Sequence, residues 1–416
     1  MSELRLAWRN VGRNPRRTAL TVAATVFAVF LVVVFTAMTR GMHEKWIEDA
    51  VGLASGHVML SAPGYLEDRS LDHFIELDTA TIARLERTPE IAGWAPRVMS
   101  FALVSQDVTS QGVGLMGVDP QREPTVTSLA RRIVEGRFLS PETEEAEGAT
   151  REIVLGRRLA ERIGARVGDS VLVYGLAYTL ETAYELFEVT GLVALPDAGL
   201  ERTLGVVGIR ALQDFLEFGD RVSEVAIAAD SANRTEPLRR ALVASFDGRE
   251  PSTVVHSWPE IMPDLEQILI LDDAGLYLMM AILIVVVGFG ILNTILMSVL
   301  ERQRELGVML ALGLRPAAIF RVVFIESMLL AALGLLIGLG LAIPVGLWMQ
   351  ANPIVMGGEL AGMTEFLGME PVIASHLAVS TVWKSALVIL TVALLAALYP
   401  ALKASRANPV DALRSL

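Results

Sequence analysis

Residues 274–300, AGLYLMMAILIVVVGFGILNTILMSVL, run without a single charged side chain. A bilayer-spanning helix needs roughly 20 mostly apolar residues, whereas a helix of that length on a soluble protein would carry a polar face toward water. The run is read as a membrane span. Three other stretches fit the same template, with apolar centres at Thr18–Met38, Ser327–Met349 and Ser385–Leu402, so spans are expected over 18–40, 274–300, 319–349 and 381–402. Composition agrees: 53% of the 416 residues are hydrophobic and only 20% charged, and the mean hydropathy is +0.49, too apolar for a water-soluble domain of this size.

Arginine and lysine placement orients the spans, because cytoplasmic flanks carry the excess of positive charge. Arg5, Arg9, Arg13, Arg16 and Arg17 precede the first span, Arg302, Arg304, Arg315 and Arg321 lie between the second and third, and Lys403, Arg406 and Arg414 follow the fourth. All three groups fall on one side, so both termini are expected in the cytoplasm. The opposite side receives residues 41–273 and the loop 350–380, which carries Glu359, Glu365 and Glu370. The N-terminal 1–17 is read as an interfacial helix, with Leu4, Trp8 and Val11 at helical spacing beside Arg5, Arg9 and Arg13, broken by Pro15 before an uncleaved anchor. Residues 403–416 form the tail.

Residues 41–273 hold 39 acidic against 21 basic side chains, a balance of −18. Such an acidic domain disfavours nucleic acid or anionic lipid as its ligand. It reads as α+β. Strand-like runs are GHVMLSA, SFALVSQDV, GVGLMGV, SVLVYG, LFEVTGLVAL and SEVAIAA, and helical patterns are TATIARLERT, RRLAERIGARV, IRALQDFLEFG and TEPLRRALVASF. ETEEAEGATRE is expected to be a solvated connection.

Several chemistries have no visible residues. A P-loop needs a Gly-Lys pair at the phosphates, but Glu44, Trp383 and Leu402 precede the three lysines. The five histidines form no His-Glu-x-x-His and cysteine is absent, so no metal site or catalytic set is expected and no cofactor is assigned to this chain. Glu326 is nearly the only ionisable group deep in a span, read either as paired near the interface with Arg321 or a neighbouring chain's arginine, or as a proton relay. Gly334 and Gly338 form a G-x-x-x-G suited to close helix packing, within the chain or across a dimer.

Between the second and third spans, 301–318 reads ERQRELGVMLALGLRPAA. Glu301 and Arg304, and Arg302 and Glu305, are spaced to pair on a helix, while Gly307, Ala311 and Gly313 keep the following turn slim. Two readings stand: an ordinary positive-inside loop, or a short helix that docks in a groove on a soluble partner.

The stretch ERQRELGVMLALGLRPAAIFRVVFIESMLLAALGLLIG resembles the signature of the FtsX-like permease family, and YPALKASRANPVDALR resembles its C-terminal signature. GVDP, EGRFL, EIVLGRRLAERIGARVGDSV and FEVTGLV are similar to the periplasmic core shared by macrolide-exporter (MacB-type) and lipoprotein-release (LolC/LolE-type) permeases. The resemblance implies four transmembrane helices with a large periplasmic α+β domain between the first two, in the bacterial inner membrane. It also implies the permease subunit of an ABC transporter of the mechanotransmission type, dimeric with a second copy or a paralogue and driven by a separate LolD- or MacB-like ATPase subunit that binds ATP and Mg. Glu301, Arg302, Arg304, Glu305, Gly307, Ala311 and Gly313 would then form the coupling helix on that ATPase. The lipoprotein-release arrangement implies an acylated lipoprotein cargo, contact with membrane lipid and a periplasmic chaperone. Phe35, Met38, Met42, Leu276, Met279 and Met280 would line its lateral entrance, or would simply face lipid and pack. After the GD turn, YGLAYTLETAYELFEV is read as shorter than the hairpin of chaperone-binding permeases. The alternatives are an adaptor-linked exporter of peptides, toxins or antibiotics, and a signalling scaffold that controls a wall hydrolase.

Overall fold

The computed structural model describes residues 15–141, 151–246, 253–358, 361–362 and 371–406. The interfacial helix expected before Pro15, the loop glutamates Glu359, Glu365 and Glu370, the charge-rich 142–150 and Arg414 lie outside the described residues. From the N-terminus, α1 (Pro15–Ala54) leads to β1 (Val58–Ser61), β2 (Ile75–Glu76), α2 (Thr79–Arg87), β3 (Gly93–Gln106), β4 (Thr109–Val118), β5 (Ile133–Gly136) and β6 (Glu152–Gly156). Then come α3 (Arg157–Ile163), β7 (Ser170–Leu176), β8 (Thr182–Val193), β9 (Leu204–Gly208), α4 (Ile209–Phe215), β10 (Arg221–Val222), β11 (Glu224–Ala228), α5 (Thr235–Phe246) and β12 (Val254–Ser257). The rest is helical: α6 (Pro263–Glu301), α7 (Gln303–Ala311), α8 (Pro316–Ala351) and, after a small β13 (Ile354–Val355) and β14 (Val372–Ile373) pair, α9 (Val379–Ser405).

Two compact units result, one of residues 1–43, 268–355 and 372–416, the other of residues 44–267 and 356–371. In the first, α1, α6, α8 and α9 are long and apolar enough to cross a membrane. The helices run past the expected spans of 18–40 and 274–300: α1 continues to Ala54 and α6 starts at Pro263. The physical reason for α1 lies in GMHEKWIEDAVGLA, which lacks proline and buries Trp46, Asp49 and Leu53 along one stripe, with Lys45 bonded to Asp49 at 2.7 Å. Helix contacts use small residues. A Cβ placed on Gly334 of α8 would lie 2.6 Å from Thr25 Cβ of α1, and one on Gly338 would lie 2.7 Å from Val29 Cβ, so these glycines let α8 approach α1 within the chain. Gly41 of α1 lies similarly against the Ser375 backbone, where His376 N–H donates to Ala37 O at 2.8 Å.

In the second unit, β7 pairs with both β3 and β8, so β3, β4, β9, β6, β8 and β7 close into a ring of six strands. Closure removes sheet edges, and β11, β1 and β12 extend the sheet from β3 while β5 extends it from β8. Alternation along each strand points Val104, Val113, Leu155, Val171, Val173 and Phe187 into one core. A second cluster outside the ring joins Val118, Val154 and Val206 to Leu53 of α1, next to the bond from Ser128 N–H to Gly52 O at 2.7 Å. Glu152, expected in a solvated connection, instead begins β6 and is buried, where Arg137 forks onto both its oxygens and Ser140 N–H donates to Oε2 at 2.8 Å.

This unit also buries a charge network. Arg97 of β3 donates through Nε (3.1 Å) and Nη2 (2.6 Å) to the two oxygens of Glu123, and Nη1 lies 3.5 Å from Glu224 Oε1. Thr127 Oγ1 donates to Glu123 Oε1 at 2.7 Å, and Arg97 and Glu123 are both fully buried. Burial pulls the guanidinium pKa down, but the two carboxylates hold it above its ordinary value. Burial and the neighbouring Glu224 likewise push the Tyr65 phenol well up. Glu123→Ala, which strands the Arg97 charge, is expected to destabilise the unit by about 3–5 kcal/mol, measured as loss of protease resistance and a lowered unfolding midpoint of the purified full chain.

His57 is held neutral in the same unit: its Nδ1 accepts from Ala229 N–H at 3.2 Å, and burial lowers its pKa. The unfolded imidazole titrates near about 6.5, so the stability linked to His57 is fully present above that pH and declines as pH falls toward the depressed folded value. His57→Asn keeps an acceptor for Ala229 and removes the titration. It is expected to flatten the fall in unfolding midpoint between about pH 7 and 5 relative to the unsubstituted chain.

Candidate functional site

Helix α6 ends at Glu301, and Arg302 leaves helical geometry (φ −99°, ψ 11°) before α7 begins at Gln303. The nine-residue α7 closes on a Schellman turn: Gly313 N–H donates to Leu310 O and Leu314 N–H to Met309 O, both at 3.0 Å, with Gly313 left-handed at φ 89°. Arg315 is extended and Pro316 opens α8, as suits a residue whose missing N–H costs nothing in the first turn. A short helix therefore hangs between two long ones, stopped at each end by local geometry.

Its faces differ. Leu306 is 3% exposed and joins the packed core of the helical unit, with Met309 and Leu310 against that core, while Val308, Leu312 and Leu314 are exposed. Arg304 and Glu305 of the first turn also lie open. Arg302 reaches both neighbours: Nε lies 3.4 Å from Glu305 Oε2 on α7, and Nη1 lies 3.1 and 3.4 Å from the two oxygens of Glu326 on α8. A cavity of about 520 Å³ adjoins this junction, bounded by Arg302, Arg304, Leu306, Met309, Ile319 and Glu326 among others.

The structure separates the expected site residues. Glu301, Arg302, Arg304 and Glu305 cluster at the α6–α7 junction, and Arg302 pairs with Glu305 as their spacing suggests. Gly307, Ala311 and Gly313, expected to keep the turn slim, take different positions. Gly307 faces the core, Ala311 is exposed, and Gly313 serves the left-handed turn. Spacing alone missed Glu326 as a partner of Arg302, because the two stand 24 positions apart and meet only when α8 folds back beside α7.

The six expected entrance residues divide between α1 and α6 and differ in surroundings. Thr36 Oγ1 approaches Met280 Sδ at 3.9 Å, His43 Nε2 lies 2.7 Å from Asp272 Oδ2, and Met38 and Met280 pack against the helical core. Met42 and Leu276 are half-buried, while Phe35 and Met279 face outward. In the other unit, the β7–β8 hairpin presents an apolar outer face. Cross-strand pairing aligns Leu103, Tyr174 and Tyr184 across three strands and Leu172 with Leu186, with Phe101 (78% exposed) and Tyr184 (75% exposed) most open. Period-two reading puts these strands in place but does not show that the face away from the core is apolar too.

Residues 18–245 match the family model of the MacB-like periplasmic core domain, and residues 277–409 match that of the FtsX-like permease C-terminal. The lipoprotein-releasing system transmembrane protein LolC of Xylella fastidiosa is 26% identical over 393 residues, covering 92% of this chain and 90% of that protein. The macrolide export ATP-binding/permease protein MacB of Nitrobacter winogradskyi is 25% identical over 426 residues, covering 98% of this chain and 59% of that protein. Among solved structures, the periplasmic region of MacB from Actinobacillus actinomycetemcomitans covers 53% of this chain and 97% of its own, at 16% identity and a TM-score of 0.36.

A β-branched side chain at the left-handed Gly313 is strained by more than the roughly 1–2 kcal/mol typical of non-glycine residues there, whereas Asn tolerates it. Gly313→Val is therefore expected to speed amide exchange at Leu314 by tenfold or more, and Gly313→Asn by much less, read by hydrogen exchange on the purified chain.

Proposed function

The chain belongs to the FtsX-like permease family that carries a MacB-like periplasmic core domain, and on that premise we propose that this ABC transporter permease extracts acylated lipoproteins from the inner membrane and releases them into the periplasm, driven by a separate ATPase. The observation that carries the lipoprotein reading is the end-to-end likeness to LolC, spanning 92% of this chain and 90% of the relative. LolE of Haemophilus influenzae, at 25% identity over 92% of this chain, adds to it.

In this reading both termini and α7 lie in the cytoplasm, where α7 seats in a groove on the ATPase that binds ATP and Mg. The exposed Leu312 and Leu314 of the turn that follows it and its own charged first turn supply the two kinds of contact such a groove needs. A second permease copy or paralogue completes the transporter. Closure of the ATPase moves α7, and the long helices carry the motion outward. Helix α1 supports this role because it is helical throughout Pro15–Ala54, and its Leu53 packs in a core cluster of the second unit. Cargo enters from the bilayer along the seam of Met38, Met280 and Phe35, where flexible methionines suit acyl chains. The apolar outer face around Phe101, Tyr184 and Leu186 is the surface offered to a soluble acceptor, since contiguous exposed apolar patches on a solvated domain mark contact sites.

The likeness to macrolide exporters over 98% of this chain favours a second reading, an exporter linked to a periplasmic adaptor. Reconstitution separates them. In proteoliposomes with its ATPase, the permease is expected to release a triacylated lipoprotein to a soluble acceptor only when ATP is present. Retention of the lipoprotein together with ATP-dependent, adaptor-dependent passage of a small peptide or macrolide would replace the first reading with the second.

A further inference from the structure

The break at Arg302 poses a mechanical problem for the coupling role proposed above, on which this inference rests. A residue outside helical geometry contributes two soft dihedrals, so a push on α7 would turn that joint and leave the spans where they are. Another contact must stiffen it.

We propose that the Arg302–Glu326 ion pair is the positioning contact that makes α7 and α8 move as one body, so that force on α7 reaches the third membrane helix.

Three observations carry this. One planar guanidinium, carried by the residue at the joint, touches both α7 and α8, with Nε 3.4 Å from Glu305 Oε2 in the first turn of α7 and Nη1 within 3.1 and 3.4 Å of both Glu326 oxygens on α8. A rigid fork holds direction as well as distance, which a lysine ammonium on a flexible stem does not. Second, the pair is sheltered, with side-chain exposures of 15% for Arg302 and 13% for Glu326, so water and salt weaken it less than a surface pair. Third, it gives leverage. The far end of α7 is tied covalently to α8 through the Gly313 turn and Pro316, and Glu326 stands ten residues into α8, about 15 Å further along its axis at 1.5 Å per residue. Two attachments that far apart transmit a tilt, whereas the turn alone would act as a hinge. From α8 the path continues by contact, since Gly334 and Gly338 seat against Thr25 and Val29 of α1. Glu326 thus has a use at its depth in α8 that calls for no proton movement.

The test uses the full permease assembled with its ATPase in liposomes and two independent readouts. The chain has no cysteine, so Ala351→Cys at the exposed outer end of α8 gives a single maleimide target whose labelling rate reports nucleotide-dependent movement without reference to cargo. Release of lipoprotein per ATP hydrolysed is the second readout. In the Ala351→Cys background, Glu326→Gln is expected to keep assembly and basal ATP hydrolysis within about twofold, to abolish the nucleotide-dependent change in labelling and to lower release per ATP at least tenfold. Arg302→Lys, which keeps the charge and loses the fork, is expected to retain an intermediate response, and it carries the test if Glu326→Gln does not assemble. A labelling response equal to the unsubstituted complex in the assembled variants overturns the proposal. If the unsubstituted complex releases no lipoprotein while its labelling response is intact and is lost in Glu326→Gln, the cargo reading falls and the positioning role stands.

Discussion

Every backbone N–H and C=O that crosses a bilayer must find its partner inside the protein, because hydrocarbon supplies none. That requirement governs the architecture of the helical unit. It turns α1, α6, α8 and α9 into long continuous helices and confines irregular backbone to their ends, at the Arg302 break, the Gly313 turn and the segment that brings His376 N–H onto Ala37 O. The hydrophobic effect does not draw helices together in lipid, so their association depends on close fit. Gly41, Gly334, Gly338 and Gly346 are among the points where a neighbour sits too near for an added methyl to be free of contact. Rigid rods joined by tight contacts suit transmission of movement better than passage of a polar solute.

The extramembrane unit meets the opposite problem, since water competes for every exposed strand edge. Its answer is topological. By pairing with both β3 and β8, β7 closes six strands on themselves. The inside of the ring holds an apolar core, and the charge network of Arg97, Glu123 and Glu224 lies buried where β3, β11 and the short helical turn at Glu123–Val126 meet. Such a network contributes little net stability over an apolar equivalent but tolerates few alternative registers. A shift of β3 by one residue would expose Arg97 on the wrong face and strand both carboxylates.

What was legible in the sequence is what depends on local pattern. Charge-free runs gave the spans, period-two runs gave β1, β3, β4, β7, β8 and β11, and apolar periodicity gave α2 to α5. Strands β9 and β12 are not legible, because LGVVG has glycine at both ends and VVHS only two apolar residues to mark a strand. Glu152 was read as solvated because it follows a run of glutamates, and its burial depends on Arg137 across the β5–β6 connection. The reach of α1 to Ala54 was hidden by the fall in hydropathy after residue 40, although helicity and membrane depth are separate properties. Of the coupling segment, the Arg302–Glu305 spacing was visible, but the partner that matters mechanically was not, because a helix hairpin sets that distance and neither helix alone contains it.

One device recurs on both sides of this division. Of the 35 basic residues three are lysine, and several arginines meet sheltered carboxylates: Arg97 and Arg137 fork onto both oxygens of Glu123 and Glu152, Arg157 and Arg158 each reach one oxygen of Glu201 through Nε, and Arg302 meets Glu326 through Nη1. A fork of that kind fixes orientation, which an ammonium does not. In the extramembrane unit the device joins strands and turns that are distant in sequence, so that the domain holds its shape when loaded. At the α6–α7 junction it braces the break against a partner helix. On the function proposed above, stiffness is needed in both places, since slack in either would absorb a movement before it reached a cargo.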